Sequence, residues 1–257
     1  GLWPSMEIGA DGDLNIAYFD DTEGRFMSVR CTMSYPSGPS GDGCAQDPIC
    51  CSTGPLADSN TISTAIGTHN TGGPVAASWY HDGKLMVGSV GAGPNGGPST
   101  RIADPNPGSN AGAGPDMGQF SSIAVNQVPV GSTGWDSNPV VAYLDSDNGL
   151  LRVKKCADAL CSNIGGRTAS TLANTGPVTG ASQTSMEIPS STGNPVISYF
   201  WNQSDSATQL TSGSLNVVAC NDAECSSGET TELDSTGIAG QANSMALGAN
   251  SMMSTLS

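Results

Sequence analysis

The chain has 257 residues, a net charge of −15 with only eight lysines and arginines, and 12% charged residues overall. Phosphate backbones are held by Lys and Arg, so this balance excludes nucleic-acid binding and disfavours anionic membrane surfaces. Apolar residues at 37%, with 34 glycines and 16 prolines, point to many short strands joined by tight turns rather than to a disordered chain. No apolar run approaches the roughly 18 residues of a membrane-spanning helix, so membrane insertion is not expected.

In chain order, the first unit opens with SMEI at Ser5, turns through GADGD, and continues as LNIAYFD from Leu14 and FMSVRC from Phe26. The second reads STAI at Ser63, PVAASWYH from Pro74 and LMVGSV from Leu85. The third reads SIAV at Ser122, PVVAYLD from Pro139 and LLRVKKC from Leu150, closed by GRTASTLA near Arg167. The fourth reads SMEI at Ser185, PVISYFW from Pro195 and LNVVAC from Leu215, closed by GETTELD near Gly228. SMAL at Ser244 then starts the pattern again. The Ser-x-x-apolar motifs recur roughly every 60 residues, and such a period marks a repeat architecture.

Each unit supplies four short segments with strand-like alternation or continuous apolar character, and none has a helical period. The pattern predicts an all-β protein, a β-propeller of four-stranded antiparallel blades. Four complete blades are expected at about 1–58, 59–117, 118–180 and 181–240, with the start of a fifth at 241–257, all within a single propeller domain. The unfinished fifth unit suggests a fragment of a longer chain. It also suggests a protein partner, or self-assembly, at the open C-terminal blade.

The run PVISYF…SLNVVACNDAECSS resembles repeats of large secreted bacterial propeller proteins, in which a Pro-Val-x-x-Tyr strand precedes a Leu-x-Val-x-x-Cys strand and a second cysteine. The resemblance covers nearly the whole chain, although the second unit lacks the cysteines. It implies an extracellular propeller and transfers no catalytic residue.

Eight cysteines are present. Cys156–Cys161 and Cys220–Cys225 are expected as disulfides that staple the turn after the third strand. Cys31 ends its strand as Cys156 and Cys220 do, and Cys51-Ser52 matches Cys161-Ser162 and Cys225-Ser226, which suggests Cys31–Cys51 with Cys44–Cys50 closing the insert. A zinc site would favour Cys-x2-Cys pairs or nearby histidines, and the two histidines, His69 and His81, lie in the unit without cysteines. Disulfides place the protein in an extracellular, cell-surface or periplasmic space.

Asp145-Ser146-Asp147-Asn148-Gly149 has the alternating oxygens of a calcium loop, with Asp145 and Asp147 as candidate ligands, but lacks the later bidentate Glu. The same residues also suit an ordinary hairpin tip. Calcium is the one cofactor the sequence admits. The aromatics Tyr18, Trp79, Tyr143 and Tyr199 recur on the second strand, as inter-blade core or as a sugar-stacking ring. Trp79, Trp135 and Trp201 are the candidate ligand-contact residues. Glu7 and Glu187 occupy matching first-strand positions but form no established acid/base dyad, and no nucleophile motif or arginine cluster accompanies them. The expected function is therefore a non-catalytic extracellular binding or structural module in a cell-surface or secreted assembly. The alternative is a glycan-binding lectin or glycoside hydrolase of propeller fold.

Overall fold

The computed structural model describes residues 2–8, 13–32, 50–58, 64–67, 75–81, 83–90, 101–102, 117–125, 138–158, 170–174, 183–202, 212–240 and 243–247. These residues contain strands and no helix. The first sheet comprises β1 (Leu2–Ile8), β2 (Leu14–Asp20), β3 (Arg25–Thr32) and β4 (Cys50–Asp58). The second comprises β5 (Thr64–Gly67), β6 (Val75–His81), β7 (Lys84–Val90) and β8 (Arg101–Ile102). The third comprises β9 (Met117–Val125), β10 (Pro139–Asp145), β11 (Leu150–Lys155) and β12 (Ser170–Asn174). The fourth comprises β13 (Thr184–Glu187), β14 (Val196–Asn202), β15 (Gly213–Cys220) and β16 (Gly228–Asp234). Every sheet is an antiparallel meander in chain order. The third sheet starts at Met117, one residue before the expected boundary.

Turn chemistry sets the hairpins. Asp20 and Asp145 both end a second strand, and each accepts a backbone N–H inside a four-residue turn: from Thr22 at 2.9 Å and from Asn148 at 3.2 Å. Each turn closes on a glycine with positive φ, Gly24 (63°) and Gly149 (61°), which a residue without Cβ adopts at no steric cost. Pro139 and Pro195 stand at the second-strand starts, where a missing N–H is tolerated. Their carbonyls accept from Cys156 (2.8 Å) and Cys220 (2.9 Å).

The sheets pack in sequence. β5 lies against β1 and β2, β9 against β5, β6 and β7, and β13 against β9 and β10. One apolar cluster joins Ala17 and Phe26 of the first sheet to Ala77 and Trp79 of the second. A second joins Ala76, Leu85 and Val87 to Ile123, Val125, Val141 and Tyr143 of the third. A third joins Val140, Ala142, Leu144, Leu151 and Val153 to Met186, Ile188, Ile197, Tyr199 and Val218 of the fourth. Alternate residues of one strand thus serve two different clusters, as the period-two geometry of a strand requires.

Strand register corrects the sequence motif in the second unit. Ser5 pairs with Ala17, Ser122 with Ala142 and Ser185 with Ser198, but the matching partner of Ser78 is Ala65, not Ser63. Ser63 itself lies outside the described residues. The position matching Glu7 is consequently Gly67, which pairs with Ala76 as Glu7 pairs with Asn15.

Gly118 and Gly240, each four residues before a motif serine, both have positive φ (99° and 91°). A Cβ at Gly118 would come 2.5 Å from the Leu85 Cα, and one at Gly240 would come 2.7 Å from the Leu215 Cβ. Leu85 and Leu215 are themselves equivalent, near the start of a third strand. Gly118→Ala must move backbone as well as adopt a left-handed residue and is expected to cost ~2–3 kcal/mol or more. Gly24→Ala, where a Cβ meets nothing within 4 Å, should lose only the ~1 kcal/mol of the conformational penalty. Urea melts of the two variants measure this difference, and equal losses would refute the close-approach account.

Candidate functional site

The two acidic residues of the SMEI motifs stand at corresponding ends of first strands. Glu7 pairs with Asn15 and Glu187 with Val196. At the matching positions between them come Gly67 and Ala124, which carry no functional group. Both carboxyls are half-buried. Burial raises Glu187 above the usual carboxylate range. Burial, and then the negative charge of Glu187, pushes Glu7 up to about 7. The first and fourth sheets therefore bring their motif carboxylates within electrostatic reach. A carboxyl that titrates near neutrality can donate or accept a proton or a hydrogen bond there.

Polar side chains also run between the sheets. Ser78 donates to Ser121 at 3.0 Å, and Ser122 and Thr184 share a hydrogen bond of 2.9 Å. Thr184 further donates to the carbonyl of Phe120 at 2.6 Å, where φ is positive (52°) beside a register shift in the β9–β10 pairing. Asn243, one residue before Ser244, accepts from Ser198 at 2.6 Å, and the Met245 N–H donates to the Ser185 hydroxyl at 3.0 Å. Ser198–Asn243 repeats Ser78–Ser121 residue for residue. The segment at 243–247 thus rests on the fourth sheet as β9 rests on the second.

Trp79 is fully buried and stacked on Phe26, with ring centroids 4.8 Å apart. Its expected role in ligand contact is corrected to a core role, because its faces are taken by the first and second sheets. Tyr143 and Tyr199 are also buried between sheets, while Tyr18 is half-exposed. Trp201 is partly buried against the cluster between the third and fourth sheets. Trp135 lies outside the described residues.

Asp145 is wholly buried and takes an ion pair from Arg152 at 2.6 Å. Its two oxygens also accept from the Asn148 amide at 2.9 and 3.0 Å. Asp147 is exposed at the turn tip. The expected calcium pair is thus not a converging ligand set here, since Asp145 turns inward onto Arg152. Among the described residues no group of three or more His, Cys, Asp or Glu is placed to hold a metal.

Cys220 and Cys225 are joined by a disulfide, with Cα atoms 4.9 Å apart. Between them Asp222 accepts from the backbone N–H of Glu224 at 2.9 Å and of Ser226 at 3.0 Å, and from the Ser226 hydroxyl. The hydroxyl and amide of Ser226 lead in holding its carboxyl below the usual range. Cys31 and Cys156 are also disulfide-bonded. Cys51 stands opposite Cys31 and Cys50 opposite Thr32 in the β3–β4 register. The side chains of Cys50 and Cys51, and the whole of Cys44 and Cys161, lie outside what is described.

No family model matches the chain, and no curated protein matches it in sequence.

Two tests follow from these side chains. Arg152→Met strands a buried Asp145 and is expected to cost about 3 kcal/mol in urea melts, whereas Asp147→Ala should cost less than ~0.5 kcal/mol. Millimolar calcium should leave Tm unchanged in the wild type; a rise that Asp147→Ala abolishes would restore the cation role.

The Glu7 carboxyl has a folded pKa above its unfolded one, so its protonated form favours the fold. That contribution is complete below the unfolded value of 4.5 and is lost as pH rises through about 7. Glu7→Gln should therefore raise Tm at pH 8 and leave it unchanged at pH 4, with a gain of about 1 kcal/mol after discounting for partial exposure. A gain of equal size at pH 4 would contradict this.

Proposed function

We propose that the four sheets are blades of a β-propeller that acts outside the cytoplasm. In this reading the chain is a non-catalytic binding or structural component of a cell-surface or secreted assembly, akin to the secreted bacterial propeller repeats that PVISYF and LNVVAC resemble. The observation that carries the reading is where the repeated side chains go. The second-strand aromatics Trp79, Tyr143 and Tyr199 fill the contacts between sheets, and Ser78, Ser121, Ser122 and Thr184 bond across them. Repetition here serves the stacking of units, which leaves loops and end faces to meet other molecules. The Cys220–Cys225 disulfide is compatible with an oxidising extracellular or periplasmic space. A protein partner, or a further copy, would engage the fourth sheet on the side away from the third.

The Glu7–Glu187 pair favours a second reading, a glycan-binding or glycan-cleaving propeller, because glycoside hydrolysis commonly uses two carboxyl groups in different protonation states. A glycan array and a panel of glycoside substrates separate the two. The structural reading expects neither saturable sugar binding nor turnover. Turnover that falls at least ~100-fold in both Glu7→Gln and Glu187→Gln would replace it with the hydrolase, and saturable binding without turnover would replace it with a lectin.

A further inference from the structure

The turns after β2 and β10 share one design and differ in one side chain. In each, the aspartate at the strand end accepts a backbone N–H from three residues on at 3.2 Å, from Glu23 to Asp20 and from Asn148 to Asp145. A glycine with positive φ follows in both, Gly24 and Gly149. Glu23 and Asn148 are both exposed. The Asn148 amide nitrogen nevertheless reaches inward and donates to both oxygens of Asp145, at 2.9 and 3.0 Å. Asp145 is wholly buried and is held from across the hairpin by Arg152, at 2.7 Å from Nε and 2.6 Å from the guanidinium end. The backbone bond is equally long in the two turns, so the Asn148 amide is not what closes the second one.

An asparagine followed by glycine is the dipeptide most open to succinimide chemistry. Asparagine is thermally labile, and a residue without Cβ leaves its backbone nitrogen free to approach. The Gly149 nitrogen gives its proton to hydroxide and bonds to the Asn148 Cγ, the amide nitrogen leaves as ammonia, and water then opens the ring. Net, water is taken up, ammonia is released, and position 148 becomes aspartate or isoaspartate. In this turn the leaving amide is pinned by Asp145 and Gly149 is buried. The turn must therefore open before the nitrogen can attack.

We infer that Asn148-Gly149 is a deamidation site, held in check by the Asp145–Arg152 ion pair, whose conversion releases the β10–β11 hairpin. The inference goes beyond the binding or structural role proposed above and is independent of it. Conversion replaces two donated hydrogen bonds by a carboxylate that faces the buried Asp145 carboxylate, and like charges so placed disfavour one another. Isoaspartate also lengthens the backbone between Asp145 and Leu150, which pair in the present register. The first sheet supplies the contrast. Its turn carries the acid Glu23 at the same position, but Asp20 there is only half-buried, so solvent screens the two charges. Release of ammonia makes the change one-way.

Peptide mapping of the full oxidised chain held at pH 8 follows conversion at Asn148 and at Asn95, which precedes Gly96. In urea the two asparagines should convert at similar rates. In the folded chain Asn148 should convert about tenfold or more slowly than in urea, because hydrogen bonds to a charged acceptor must break first. Asp145→Asn, with its fold checked by circular dichroism, should convert Asn148 about tenfold faster than the folded wild type. Asn148→Asp supplies the product directly, and should lower Tm by about 3 °C more than Asn148→Ser, which removes the amide without adding charge. An Asn148 that does not convert in urea would overturn the site. A folded rate equal to that in urea, or an unchanged rate in folded Asp145→Asn, would overturn the restraint. Equal Tm values for Asn148→Asp and Asn148→Ser would overturn the release of the hairpin. Should Asp145→Asn fail to fold, the wild-type comparison and the Tm pair still decide.

Discussion

A four-stranded sheet that is apolar on both faces has no stable existence alone in water, and the second and third sheets of this chain are of that kind, each contributing to a buried cluster on either side. Val140 and Val141 are consecutive, point to opposite sides, and are both fully buried because one faces the fourth sheet and the other the second. Burial of a side chain of this size is worth roughly 1.5–3 kcal/mol, and only stacking collects it on both sides. The hydrogen bonds from Ser78 to Ser121 and between Ser122 and Thr184 then fix which residues meet, since a slip would leave buried hydroxyls unpaired.

The demand for two-sided burial explains the local devices. Gly118 and Gly240 occur where the incoming strand must cross the backbone of the preceding unit more closely than a Cβ allows. Asp20 and Asp145 hold short turns so that the second and third strands stay in register. The disulfide at Cys220–Cys225 closes the turn that follows the third strand, next to a fourth strand that is almost wholly exposed. In the chain-entropy model so short a loop contributes about 2 kcal/mol, where apolar burial contributes little.

Much of this was legible in the sequence because the repeat carries its own alignment. The aromatic at Tyr18, Trp79, Tyr143 and Tyr199, followed by the leucine or phenylalanine of the third strand, located the second and third strands of all four units by recurrence, whereas the short β8 and the insert-flanked β4 went unlocated. The four-letter serine motif was a weaker guide. In the second unit it matched two residues early, because nothing in Ser-x-x-apolar records the pairing register that puts Ala65 opposite Ser78. Trp79 read as core, by its recurrence on the second strand, and also as a candidate ligand contact, since burial by a neighbouring sheet is a long-range property. Asp145 read as a calcium ligand or a turn residue because its partner Arg152 lies across the hairpin. The coupling of Glu7 to Glu187 depends on how the first and fourth sheets approach one another, which no local pattern encodes.

The central claim is that successive units stack through equivalent faces, and paired cysteines at the inter-sheet hydrogen bonds test it most directly. Ser122→Cys with Thr184→Cys, where the oxygens now sit 2.9 Å apart, should yield a disulfide between the third and fourth sheets under mild oxidation, because the separation is within reach of disulfide geometry. The account predicts that non-reducing peptide mapping recovers this cross-link in nearly every folded molecule, with Cys220–Cys225 intact beside it. A folded, fully oxidised chain in which the two new cysteines stay free would contradict it.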